Sequence, residues 1–146
     1  ERHGEISADE RKLLAGVLDF RHLKARHLME PAARIPVVRP DTPAEDTLAL
    51  AAKHGLHAIP VINGANEPVG ILSALDLAMA DPPPQRISGL LRRLPTVTAG
   101  DPAYTVLRTL RSSRLPLAAV LSPKGKVLGF VRWSHLAQLL LRGLND

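Results

Sequence analysis

Gly70-Ile71-Leu72-Ser73-Ala74-Leu75-Asp76-Leu77-Ala78 and Gly129-Phe130-Val131-Arg132-Trp133-Ser134-His135-Leu136-Ala137 stand 59 residues apart, and each reads as a glycine, an apolar strand and the start of a helix. Carried outward at the same offset, residues 34–78 align on 93–137 without a gap, with 11 identities in 45 positions. Composition alone would give about four. The identities include Pro36/Pro95, Pro43/Pro102 and Gly70/Gly129. Turns and helix starts therefore repeat as well as hydrophobicity, the signature of a duplicated structural unit.

Each copy reads alike. Ile35–Val38 is a short extended run. Thr42-Pro43-Ala44-Glu45 predicts a helix start, with Thr as N-cap, Pro at the first helical position and Glu at the third. Leu48, Ala51 and Ala52 make an apolar stripe, and Gly55 can end the helix. His57–Ile62 and Pro68–Leu72 read as strands around a turn at Asn63–Glu67, and a helix follows over Ala74–Ala80. The second copy predicts a strand near Leu94–Val97 and a helix from Pro102 capped by Asp101. Strands follow at Leu117–Leu121 and Val127–Val131, then a helix near Ser134–Arg142. A unit of about 50 residues buries too little apolar surface alone. The expected fold class is therefore α+β: two β-α-β-β-α repeats packed sheet to sheet as a pseudo-twofold pair. The expected organisation is a helical lead-in over 1–24 (capping box Ser7-Ala8-Asp9-Glu10, with Leu13, Leu14, Val17 and Leu18 on one face), repeat 1 over 25–81, a Pro-rich linker over 82–86, repeat 2 over 87–142 and a tail over 143–146.

The 146 residues are 45% hydrophobic and 23% charged, a soluble globular balance. The absence of cysteine excludes a disulfide scaffold, a thiolate metal site and a cysteine nucleophile. No uncharged apolar run approaches the ~20 residues that span a bilayer, and no signal peptide is evident. The chain opens on Glu1 rather than Met, which reads as a piece of something longer. The net charge of +5 divides into −2 over residues 1–80 and +7 over 81–146, which points to an anionic partner for the second half. Arg108, Arg111 and Arg114, three residues apart on a helix, make either that surface or a solvated face. Nucleic acid is not expected, because Phe20, Tyr104, Phe130 and Trp133 are scattered rather than arranged for base stacking.

Three stretches resemble a tandem CBS-domain pair, or Bateman module: Leu56-His57-Ala58-Ile59-Pro60-Val61, the Gly70–Asp76 segment, and its counterpart opening Gly129-Phe130-Val131. The likeness covers about residues 25–142. Ile6–Glu10, Val17-Leu18-Asp19-Phe20, Leu28-Met29-Glu30-Pro31 and Gly143-Leu144-Asn145-Asp146 narrow it to the CorC/HlyC group, which is related to the CNNM magnesium transport mediators. The resemblance implies a regulatory, non-catalytic, homodimeric module on the cytoplasmic side of a membrane protein that moves divalent cations such as magnesium and cobalt. Its transmembrane domain would precede Glu1. The ligand implied is ATP with magnesium, or AMP, in a cleft between repeats.

In the family motif Gly-h-h-Ser/Thr-x-x-Asp (h apolar), Gly70 would admit close backbone approach. Ser73 would open a helix whose N-terminus favours anions, and Asp76 would accept the ribose hydroxyls. Pro95 with Leu115-Pro116-Leu117 would wall the adenine, and Arg93 and Arg114 could meet phosphates. Read without the family, Ser73-x-x-Asp76 is also an ordinary capping box. The second copy departs from the pattern: Arg132 and His135 replace Ser/Thr and Asp, Leu56-His57-Ala58 replaces an aromatic-Ser-Arg strand, and Ala32 replaces the Arg after Met-x-Pro. Either that cleft has lost nucleotide binding, or Arg132, His57 and His135 form a different anion site. The six histidines lack metal-ligand spacing, so no metal site is expected. The adjacent Ser134-His135 cannot align a nucleophile with its base.

Overall fold

The structure, a computed structural model, describes residues 20–145. The expected helix around Ser7–Leu18 lies outside these. In chain order the elements are α1 (Ala25–Leu28), β1 (Glu30–Pro31), a 3-10 turn at Ala32–Arg34, α2 (Ala44–His54), β2 (Ala58–Ile62), β3 (Pro68–Ser73) and α3 (Ala74–Met79). A second 3-10 turn at Ser88–Leu90 leads to β4 (Thr96–Thr98), α4 (Ala103–Ser113), β5 (Leu117–Leu121), β6 (Val127–Arg132) and α5 (Trp133–Asn145).

The 59-residue offset holds down to single hydrogen bonds. The Asn63 side-chain oxygen accepts from the N–H groups of Ala65 and Glu67, and Ser122 Oγ accepts from Lys124 and Lys126. Asn66 and Gly125 each take a positive φ, 60° and 78°, which closes the two strand turns. Both hairpins carry an irregularity at the same place, Val61/Ile62 and Val120/Leu121. Gly55 ends α2 at φ 63°, as the sequence predicts, and Arg114 ends α4 at φ 59°. Only the glycine adopts this conformation without a Cβ clash.

The helix starts differ from expectation. The residues before α2 and α4 are Pro43 and Pro102, neither giving a side-chain cap. Thr42 and Asp101 instead turn back: Thr42 Oγ1 accepts from the Arg39 N–H at 3.0 Å, and Asp101 Oδ2 from the Thr98 N–H at 2.9 Å. Each thereby fixes the corner between strand and helix, a local side-chain-to-backbone bond typical of these residue types. The run Ile35–Val38 is also shorter than expected as a strand. A 3-10 turn occupies its approach, and only Val38 bridges, in parallel, to Val61. The matching β4 begins at Thr96 and pairs in parallel with β5.

Three clusters of buried side chains follow. Val38, Ala44, Ala51, Ile59, Val61, Leu72, Leu77 and Ile87 fill repeat 1. Val97, Ala103, Leu110, Ala118, Val120, Val131 and Leu136 fill repeat 2 in equivalent positions, joined there by Phe20, Ala25 and Leu28. Ile62 and Ile71 meet Leu94, Leu117, Ala119, Val127 and Phe130 between the repeats. Phe130 and Ile71, equivalent under the offset, are both fully buried in this shared layer. It joins the sheets into one pseudo-twofold pair, since neither could cover its inner face alone.

The repeats also exchange backbone. The first residues of repeat 1 run onto repeat 2: β1 pairs with β6 at Glu30↔Phe130, and Ala25 and Arg26 donate to the carbonyls of Asp101 and Ala99. The linker and the first residues of repeat 2 run onto repeat 1: Arg92 bridges Ile71, and Ala44 donates to the Gln85 carbonyl. One sheet thus has the order β1-β6-β5-β4. The other follows the same order through single bridges: Arg92, β3, β2, Val38.

Candidate functional site

Gly70 sits where the Arg92 strand crosses β3. A Cβ built on it would lie 2.8 Å from the Arg92 carbonyl oxygen. The close approach that the glycine permits is therefore taken up by this chain's own backbone. Ile71 and Arg92 exchange both N–H···O bonds, each 2.9 Å. The crossing is repeated at Gly129, where an added Cβ would overlap the Glu30 carbonyl.

Ser73 Oγ accepts from the Asp76 N–H at 3.2 Å, so the segment forms an N-cap, one half of the expected capping box. The helix it opens, α3, is only six residues long, and its N-terminus alone makes no anion site. The Asp76 carboxylate pairs with the Arg92 guanidinium, with 36% and 57% of the two side chains exposed. Arg92 was not singled out in the sequence. Its only signal there is the basic Arg92-Arg93 step ahead of the second copy.

Pro95 and Leu115 share a cavity of about 440 Å³ with Arg93, Thr96, Thr109, Ser112 and Ser113. Leu115 also borders a second cavity, of about 300 Å³, with Leu110, Arg111, Arg114, Pro116 and Trp133. Leu117 is buried in the layer between the repeats. Of the seven predicted residues, the structure thus brings Pro95, Leu115 and Pro116 to adjoining surfaces. It places Gly70, Ser73 and Asp76 at the neighbouring crossing. Arg92 and Arg93 are consecutive and connect the two, one reaching Asp76 and the other lining the cavity. Arg108 lies over the Tyr104 ring, 5.6 Å from its centroid, on the exposed side of α4.

At the second crossing, Arg132 Nε donates to Glu30 Oε1 at 2.5 Å. The side chain that replaces the motif serine thus holds the lead-in segment. His57 is exposed and His135 half-buried. Among the described residues no three His, Cys, Asp or Glu side chains gather as a metal would need, and no helix is long and apolar enough to cross a membrane.

Two β-α-β-β-α units are related by a pseudo-twofold and interlocked through their leading segments, and residues 25–82 match the CBS domain family. Among curated proteins, the chain is 25% identical over 145 residues to the magnesium and cobalt efflux protein CorC of Escherichia coli K12. The match takes in 97% of this chain and 50% of CorC, so the chain spans about half the length of that relative. Among solved structures, the CBS domain of a bacterial CNNM/CorC family Mg2+ transporter superposes with TM-score 0.81 at 21% identity, covering 98% of this chain and 88% of that one. Its complex with ATP gives 0.80, at 21% identity with 90% and 96% covered. CBSX2 in complex with AMP gives 0.73, at 21% identity with 82% and 96% covered. Residues 25–82 thus match the CBS domain family, and the chain is similar in sequence to CorC and in fold to the CBS domain of a bacterial CNNM/CorC family Mg2+ transporter.

Proposed function

We propose that this chain is the regulatory CBS pair of a CorC-like membrane protein associated with divalent-cation transport. It lies on the cytoplasmic side, carries no catalysis of its own, pairs with a second copy, and senses an adenine nucleotide at the crossing between repeats. The observation that carries this reading is the position of Asp76. It ends the glycine-to-aspartate motif, reaches the surface at the crossing, and pairs with Arg92, the residue before Arg93, which lines the cavity with Pro95 and Leu115. The ATP and AMP complexes of fold neighbours support it. In this reading Asp76 accepts the ribose hydroxyls, Pro95, Leu115 and Pro116 flank the base, and magnesium accompanies ATP. Preference of the ligand for one arrangement of the repeats passes the signal to the membrane domain.

Titration calorimetry with ATP and AMP, with and without magnesium, tests the reading. Binding that Asp76→Ala abolishes is expected; no heat up to millimolar ligand removes the sensing role. A second reading, a dimerisation module without ligand, is favoured by the occupied state of the motif: Asp76 is taken by Arg92 and Ser73 by its own helix. Dimerisation by sedimentation, together with a silent titration, would select it. The Arg132–Glu30 pair likewise favours loss of the second cleft over a new anion site.

A further inference from the structure

Arg92 combines a fixed backbone with an exposed side chain. Its N–H and carbonyl are both bonded to Ile71, and its carbonyl fills the space that Gly70 leaves. The guanidinium is nevertheless more than half exposed, and Asp76, its one ion-pair partner among the described residues, is itself 36% exposed. An exposed pair of this kind contributes little to stability, about 0–1 kcal/mol, so a competing ligand can part it at small cost. Building on the nucleotide reading above, we infer that Arg92 is a specificity-determining residue of the same site, selecting phosphorylated nucleotides over nucleosides.

A carboxylate can accept two hydrogen bonds from a vicinal diol but repels a phosphate. A guanidinium fork binds a phosphate in two parallel bonds but gains little from a diol. A nucleotide carries both groups on one sugar. It can satisfy Asp76 and Arg92 together and compensates both for the pair it separates. A nucleoside takes Asp76 and leaves Arg92 without its partner. Without ligand, Arg92 rests on Asp76, and a neutral diol must part the pair without giving Arg92 a new partner.

The test is calorimetric titration of AMP and of adenosine into the wild-type chain, Arg92→Ala and Arg92→Lys. Arg92→Ala should weaken AMP about tenfold, the loss of one charge-assisted contact. Adenosine should bind unchanged or more tightly, because Asp76 no longer has to be released. Arg92→Lys, a point charge without the fork, should fall between. The variants keep the backbone bonds to Ile71, and an unchanged unfolding midpoint confirms that they fold. An equal loss for both ligands, or an unchanged ratio of AMP to adenosine affinity, overturns the assignment to Arg92 while leaving the nucleotide reading standing. Failure of the wild-type chain to bind AMP overturns both.

Discussion

The two crossings share a backbone and differ in charge. At each, a glycine on an inner strand, Gly70 or Gly129, makes room for the carbonyl of a segment arriving from outside the repeat. Beyond that, repeat 1 sets an acid, Asp76, against an incoming Arg92, whereas repeat 2 sets a base, Arg132, against an incoming Glu30. The second pair is the more shielded, with Glu30 only 23% exposed, and it sits on a true ladder between β1 and β6. The first rests on a single bridge. The backbone exchange is thus what the fold needs twice, while the side chains over it have been free to diverge. One crossing is a fastening for the lead-in. The other keeps an acceptor carboxylate near the surface.

The largest expected effect comes from filling the glycines. Gly129→Ala forces a Cβ into the Glu30 carbonyl and should cost about 3 kcal/mol in urea unfolding, the upper range for overpacking. Gly70→Ala, against a looser single bridge, should cost about 1–2 kcal/mol. Equal, small losses would break the view that both sites are backbone crossings of unequal strength. Next come double-mutant cycles on the ion pairs. Glu30 with Arg132 should couple by about 1 kcal/mol and Asp76 with Arg92 by about 0.3 kcal/mol. The reverse order would make Asp76–Arg92 the fastening. A further small effect sharpens the comparison of the repeats themselves. Arg114→Gly gives repeat 2 the helix ending that repeat 1 has at Gly55, and should raise stability by about 0.5 kcal/mol, since relief of the left-handed Cβ penalty outweighs the extra chain entropy that glycine loses on folding.

Much of this was legible in the sequence. Matched prolines and glycines at one offset specify both repeats, and apolar positions such as Val61/Val120 and Leu77/Leu136 form equivalent cores. The exchange of segments was not legible. Glu30 and Arg92 hold equivalent places yet lie 62 residues apart and carry opposite charges, so they fall outside the aligned block and share no pattern. Gly70 signalled a close approach, but a glycine states only that something comes near, not whether it is a ligand or the chain itself. Thr42 and Asp101 marked the right corners. Their side chains bond backward rather than forward because the preceding strand's N–H groups, at Arg39 and Thr98, lie within reach.

The central claim is that repeat 1 carries the ligand-bearing crossing and repeat 2 the structural one. Its most direct test is titration of AMP into the wild-type chain, Asp76→Ala and His135→Ala, the last two changing equivalent positions of the two repeats. The account predicts one site per chain, lost in Asp76→Ala and kept in His135→Ala. Two equivalent sites, or binding that survives Asp76→Ala and vanishes in His135→Ala, would contradict it.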